Sequence, residues 1–224
     1  LLQLRYEELM RKAKIAAGKT LLYREPPHYI TLGKELPAKA LDEILTDHAE
    51  VFTELKEYYK QTSESDTTKI SFYEDTYSLY NLYRFAHYYE EAYGKYIWLK
   101  SGASLVIEHT EAMTVIDVNT GSVLKKKKQE DTLFYQINRE AAKEIARQLR
   151  LRNISGIIMI DFINMKDTAQ KEKLLSLLDS ECKKDRVHCN VIDMTALNLV
   201  EMTRNKVRKP LHEQIRSCMK NNRS

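Results

Sequence analysis

Two apolar runs in this chain each end by presenting an aspartate: VIDVN carries Asp117 and IIMIDF carries Asp161. An aspartate that closes a buried strand sits where backbone pairing stops, within reach of a metal or a substrate. The two are 44 positions apart (161 minus 117), so a joint site must be made by the fold and not by a local loop. Carboxylates brought together repel unless one is protonated or a cation bridges them. With no Cys or His at ligand spacing, an oxygen-only site suits Mg²⁺, with Mn²⁺ as its substitute, and zinc is not expected. Mg²⁺ takes one or two carboxylates, keeps several waters and binds phosphate oxygens, which is the chemistry of phosphodiester hydrolysis. Asn119 follows Asp117 by two positions and shares its face if the strand continues, where it would orient a phosphate or a water. The residues alone leave a plainer reading open, because strand-end aspartates also serve as turn formers and helix caps.

Elements on either side must position these groups. Ser104–His109 and Ala112–Val118 read as strands joined by a TE turn, and Asn119-Thr120-Gly121 reads as a tight turn. Phe134–Leu151 reads as a helix, with Ile137, Ala141, Ile145 and Leu149 at steps of four and Ala142 beside them. Gly156 precedes a strand over Ile157–Asp161. Asp167 caps a helix to about Lys184 that carries Leu174, Leu175, Leu177 and Leu178. Val187–Asp193 reads as a strand and Ala196–Val207 as a final helix, followed by Pro210 and a polar tail. This order favours a mixed or parallel α/β sheet with a right-handed crossover.

Upstream, Leu1–Ala17 reads as a helix stopped by Gly18, Leu21–Tyr23 as a short strand, Ile30–Lys39 as irregular, Ala49–Tyr59 as a helix and Ile70–Tyr73 as a strand. Thr76–Tyr93 reads as one helix rich in tyrosine. It carries Tyr77, Tyr80, Tyr83, Tyr88, Tyr89 and Tyr93, and a half-buried helix is preferred to a base-stacking platform. Tyr96–Leu99 reads as a strand that includes Trp98, the sole tryptophan.

Three basic runs stand out from a net charge of only +4: Lys125, Lys126, Lys127 and Lys128; Arg147, Arg150 and Arg152; and Arg204 to Lys209. The lysine run after the Asp117 turn is a candidate contact for a nucleic-acid phosphate backbone, its alternative being a solvated loop. The second run sits at a helix C-terminus, where cations are favoured in any case, and a structural role is preferred. Glu108 and Glu111 flank the turn before Asp117 and are read as exposed. His109 and His188 have no partner at metal spacing and are read as surface or satisfied core residues.

The strings WLKSGASLVIEHTEAMTVIDVNTG, NREAAKEIARQLRLRNISGIIMIDFINM and NLVEMTRNKVRKPL resemble the ribonuclease E/G family, closely over about Tyr96–Leu211 and loosely before that. The resemblance implies an α/β fold of mixed sheets with flanking helices. An RNase H-like subdomain (1–100, partial) precedes a DNase I-like catalytic subdomain (101–210) and a polar tail (211–224). It also suggests a strand near Glu43–Thr46, where propensity favours helix. By position it makes Asp117 and Asp161 the metal ligands and Asn119 their helper, and it marks Arg204 in EMTR as a phosphate contact. It implies a Mg²⁺-dependent endoribonuclease cutting single-stranded, AU-rich RNA in RNA processing or decay. The alternative is a catalytically weak RNA-binding or assembly module that keeps the fold. The lysine-rich loop departs from the glycine-containing loop of the family. The tail carries Cys218 where the family has a CPxC-like pair, so a homo-oligomer stays open but its linkage by zinc is not expected.

Composition narrows the classes. A chain of 224 residues with 43% hydrophobic content suits one globular domain or two small ones. No run approaches the roughly 18 apolar residues of a membrane helix. Three cysteines without a CxxC pair point away from a disulfide framework and toward a reducing cytoplasm. The amphipathic start at Leu1 resembles no signal peptide and suggests a piece of something longer, and the OB-fold and 5′-sensor domains of the family have no counterpart in these residues.

Overall fold

The computed structural model describes residues 2–35, 41–62, 68–121 and 130–221. The chain is a mixed α/β protein that folds as two compact units, Leu1–Arg84 and Phe85–Ser224.

In the first unit, β1 (Glu43–Thr46) and β2 (Lys69–Phe72) pair in parallel, with α3 (Ala49–Thr62) in the connection between them. Parallel neighbours require such a crossover. Leu55 and Tyr59 of α3 pack with Ile30 of α2 (His28–Glu35), and Ile44 and Ile70 close the cluster from the strands. The strand suggested near Glu43–Thr46 is therefore present. The segment Ile30–Lys39, read as irregular, is helical to Glu35, because Ile30 gains a buried place against α3. Leu21–Tyr23 forms no strand; Leu21 and Tyr23 are exposed and nothing pairs with them among the described residues. The unit also contains α1 (Leu2–Ile15) and a single turn, α4 (Leu79–Leu82), capped by the Ser78 hydroxyl.

The long tyrosine-rich helix expected over Thr76–Tyr93 is two helices. Arg84 takes a φ of 52° and breaks the path between α4 and α5 (Phe85–Tyr93). A non-glycine residue in that region cannot continue a right-handed helix.

The second unit is built on a six-stranded sheet. Its strands are β3 (Tyr96–Trp98), β4 (Ser104–His109), β5 (Met113–Asn119), β6 (Gly156–Asp161), β7 (Cys189–Met194) and β8 (Leu199–Arg204), in the order β3-β4-β5-β6-β8-β7. Only β5 and β6 run parallel; every other pair is antiparallel. The helix between the parallel strands is α6 (Glu130–Leu151), and α7 (Thr168–Cys182) follows β6.

Alternation along each strand assigns two faces. Leu105, Ile107, Ile116, Ile158, Ile160, Val200 and Met202 point inward against Ile137, Ala141, Ala142, Ile145 and Leu149 of α6 and Leu174 and Leu178 of α7. The step-of-four stripe of α6 is thus the core stripe, as expected. The opposite face carries Tyr96, Trp98, Val106, Glu108, Val115, Asp117, Asn119, Met159, Asp161 and Glu201, all half-buried or exposed. Each fully buried Leu or Ile stabilises the unit by about 1.5–3 kcal/mol.

The helix expected over Ala196–Val207 is replaced by strand β8. Its residues favour helix, but Val200, Met202 and Arg204 alternate into the core while β6 and β7 supply backbone partners on both sides. Tertiary pairing overrides propensity here. Asn198, at a φ of 64°, and the Thr195 N–H bond to the Leu199 carbonyl (2.8 Å) make the hairpin turn. The stretch read as a polar tail is largely helical, as α8 (Leu211–Asn221). No described helix is long and apolar enough to cross a membrane.

Candidate functional site

Because β5 and β6 are parallel neighbours, their C-terminal ends lie at the same edge of the sheet, the edge at which α/β folds bind ligands. Their register runs from Met113 opposite Ile157 to Asp117 opposite Asp161. Register partners point to one face, about 4.8 Å apart by the strand spacing. The sheet therefore brings the two aspartates together on its open face, where Asp161 is exposed and Asp117 half-buried.

Asn119 completes the group. Its Nδ2 donates to Asp117 Oδ2 at 2.7 Å, fixing the carboxylate's orientation. Asp161 has its pKa raised, first by partial desolvation and then by the charge of Asp117. Repulsion of this kind is relieved by a bridging cation. The donors are carboxylate and amide oxygens, a set that fits Mg²⁺ or Mn²⁺ retaining several waters. Among the described residues no group of three or more His, Cys, Asp or Glu could hold a metal, so an ion here would rest on two carboxylates.

Three supports hold the pair in place. Asn138 is fully buried in the first half of α6, and its amide clamps the backbone just past Asp161. Its Nδ2 donates to the Ile163 carbonyl at 2.7 Å, and its Oδ1 accepts from the Ile163 N–H at 3.0 Å. Glu140, two residues on, accepts from the backbone N–H of Lys100 (2.7 Å) and Ser101 (3.3 Å), fixing the turn between β3 and β4. That turn presses on Gly121, which has a φ of 56° and where a Cβ would lie 2.6 Å from the Gly102 carbonyl oxygen. The tight turn after Asn119 accordingly requires glycine on both counts.

The other sequence candidates divide. Lys125, Lys126, Lys127 and Lys128 lie outside the described residues. Arg204 is a correction. It is 4% exposed and sits opposite Gly156, at the far end of β6 from Asp161. Its Nε donates to Asp185 at 2.9 Å, and its Nη1 donates to Asn153 Oδ1 (2.9 Å) and the Ile154 carbonyl (3.0 Å). A guanidinium so committed holds the fold and presents no charge to a phosphate.

Arg147 pairs with Glu91 and Glu144, Arg150 reaches the Glu181 carbonyl, and Arg152 is buried with bonds to Gln148 and the Glu91 carbonyl. The structural reading of these three stands. Glu108 is exposed and pairs with Lys95. His188 is exposed.

Sequence reasoning missed the roles of Asn138 and Glu140 and the partner of His109. The His109 ring stacks on His212 of α8 with centroids 3.8 Å apart, and its Nδ1 lies 3.0 Å from Thr114 Oγ1. One signal was present for Asn138: a polar residue beside Ile137 on the apolar stripe of α6, a position tolerated only with a bonding partner.

Fold and site together define a mixed α/β protein with a paired-carboxylate site at the C-terminal ends of two parallel strands. Comparison with known proteins supplies the family: the Ribonuclease E/G family matches residues 1–207. Ribonuclease G of Haemophilus influenzae is 37% identical over 203 residues, covering 91% of this chain and 41% of that protein. Ribonuclease G of Escherichia coli is 34% identical over 206 residues, covering 92% of this chain and 42% of its own length. Ribonuclease E of a Nostoc species is 31% identical over 215 residues, covering 95% and 31% respectively. The chain belongs to the ribonuclease E/G family, and it spans less than half the length of these relatives.

Proposed function

We propose that this chain carries the catalytic centre of an endoribonuclease that hydrolyses single-stranded RNA with Mg²⁺, Mn²⁺ serving in its place. The observation that carries the reading is the register of Asp117 against Asp161, with Asn119 bonded to the first. The names of the relatives support RNA as the substrate.

Asp117 and Asp161 would hold the ion. The chemistry supplied at these two carboxylates when loaded would be Lewis-acid polarisation of a phosphoryl oxygen and a lowered pKa for water. Asn119 holds the Asp117 carboxylate in one orientation and offers an amide to a phosphate oxygen or a water. Asn138 fixes the backbone past Asp161, and Gly121 permits the close approach to the Gly102 carbonyl that sets the turn after Asn119. Hydrolysis by water, with a 5′-phosphate and a 3′-hydroxyl left on the products, rests on the family resemblance.

The lysines Lys125–Lys128 are proposed to add salt-dependent, sequence-independent affinity for the RNA backbone. The first unit is proposed to correspond to the RNase H-like part of the family fold and the second to its DNase I-like catalytic part. A cytoplasmic setting is proposed from the cysteine usage.

The test is incubation of the chain with a 5′-monophosphorylated, AU-rich single-stranded RNA in Mg²⁺, with and without EDTA, followed by analysis of the product ends. Internal cleavage that EDTA abolishes, leaving 3′-hydroxyls, is the expected result. Cleavage that survives EDTA, or products with cyclic phosphates, contradicts it.

A further inference from the structure

The open face that carries Asp117 and Asp161 also carries two large exposed aromatic side chains. Trp98 is 72% exposed and Tyr96 is 59% exposed, while Ile97 between them is 6% exposed. That alternation puts both rings on one face of the edge strand β3. Register then ties them to the site. Tyr96 lies opposite Val106, Val106 opposite Asp117 and Asp117 opposite Asp161, forming one row across four strands. Trp98 lies opposite Ser104 and Ser104 opposite Asn119, forming the next row. Each ring stands two strand spacings, about 10 Å, from its partner in the site.

A solvent-exposed indole is costly unless something covers it, and an exposed aromatic cluster beside a functional centre marks a contact surface. No ring or cation contact is made by Trp98 among the described residues, whereas the Lys95 ammonium lies 5.8 Å from the Tyr96 ring centroid. Between the rings and the aspartates lie Val106, half-buried, and Ser104, buried, neither of them charged.

We infer that Trp98, with Tyr96 beside it, is a stacking platform for the bases of single-stranded RNA next to the paired carboxylates Asp117 and Asp161. The inference rests on the proposed nuclease reading for its ligand. It adds residues that fix where the strand lies and in which direction it leaves the site. Stacking is tolerant of base identity because every base has a π-face, so the platform positions RNA without selecting a sequence. It also requires unpaired bases, which gives a physical basis for preferring single strands.

The sole tryptophan makes the test direct. The chain, held in EDTA to prevent turnover, is titrated with unlabelled single-stranded RNA of about ten nucleotides and, separately, with the same sequence as a duplex. Saturable quenching of the Trp98 emission by the single strand, and much less by the duplex, is expected. In fluorescence anisotropy with end-labelled RNA, Trp98→Ala weakens binding by about 5- to 140-fold, the range expected for one lost base stack. Trp98→Phe, which keeps a ring, retains most of the affinity. Under turnover in Mg²⁺, Trp98→Ala raises KM with little change in kcat. Unchanged indole emission while anisotropy reports binding overturns the platform and points to a protein surface as the occupant of this face. An unchanged KM in Trp98→Ala overturns it while leaving the nuclease reading intact. Quenching by RNA without cleavage supports the platform and contradicts the nuclease reading for this chain.

Discussion

Asp117 and Asp161 face each other across the one parallel strand pair of the second unit, the final rung of the β5–β6 ladder. Partial desolvation, and after it the like charge of Asp117, raises the pKa of Asp161, and the fold retains the pair without a basic partner in any ion pair found among the described residues. Such an arrangement is stable when a divalent cation supplies the missing charge.

Mg²⁺ should therefore stabilise the folded chain. Binding to the native state alone adds RT ln(1 + [L]/Kd), about 1.4 kcal/mol at ten times Kd. Thermal unfolding followed by circular dichroism should show a Tm that rises with Mg²⁺ concentration. Asp117→Asn should lose that dependence and unfold at or above the Tm of the metal-free parent, because one of two repelling charges is gone.

Asn138→Ala should destabilise the second unit by roughly 2 kcal/mol, since the Ile163 N–H and carbonyl lose their buried partner. The expected cost in kcat exceeds the cost in KM, because the backbone past Asp161 is released while the RNA contacts elsewhere remain. Urea unfolding with parallel kinetics checks both halves of this expectation.

Arg204→Ala should cost about 3–5 kcal/mol by leaving the Asp185 carboxylate buried and unpaired. The side chains of Arg204 and Asp185 are only 3% and 4% exposed. Arg204→Met combined with Asp185→Leu should recover much of the loss. At temperatures where the double variant is folded, its RNA affinity should equal that of the parent; a loss of affinity there would restore Arg204 as a phosphate contact.

Acid should weaken the packing of α8. Burial lowers the His109 pKa from 6.5 to about 4, with His212, Arg152 and Arg216 acting in the same direction. The His212 pKa is also lowered by burial, with Arg216 and Lys206 adding to the effect and Glu213 opposing it. A histidine whose folded pKa is depressed takes up its proton in the unfolded chain first. Stability is thus greatest above pH 6.5 and falls as pH drops toward 4. His109→Gln should flatten this decline in a series of denaturation curves taken between those limits.

Much of this molecule was legible in the order of its residues, for reasons that differ by element. The α6 stripe was readable because Ile137, Ala141, Ile145 and Leu149 repeat at the helical period, and β5 and β6 because their apolar runs are short and closed by aspartates. The aspartate pair followed once both strand ends were placed. β8 was not readable, because Leu199, Glu201, Met202 and Arg204 are good helix formers and outnumber the β-branched Val200 and Thr203, so the segment becomes a strand only when β6 and β7 flank it. Arg204 was misassigned for the same reason: its guanidinium is neutralised by Asp185, 19 positions away, a pairing that no local pattern announces. The break at Arg84 was hidden because an arginine in the left-handed region carries no signature of the kind glycine gives. The stack of His109 on His212 joins a strand to a helix more than a hundred residues later, beyond any spacing rule.

The most direct test compares RNA cleavage by the parent chain, Asp117→Asn and Asp161→Asn in saturating Mg²⁺, with each variant shown to be folded. Joint service of one ion predicts that either substitution lowers kcat by at least about a hundredfold, in keeping with the several kcal/mol a metal supplies to a phosphoryl-transfer transition state. It further predicts that the double variant is no worse than the poorer single one. Cleavage that persists at the parent's rate in either single variant would contradict the claim that these two aspartates form the catalytic centre.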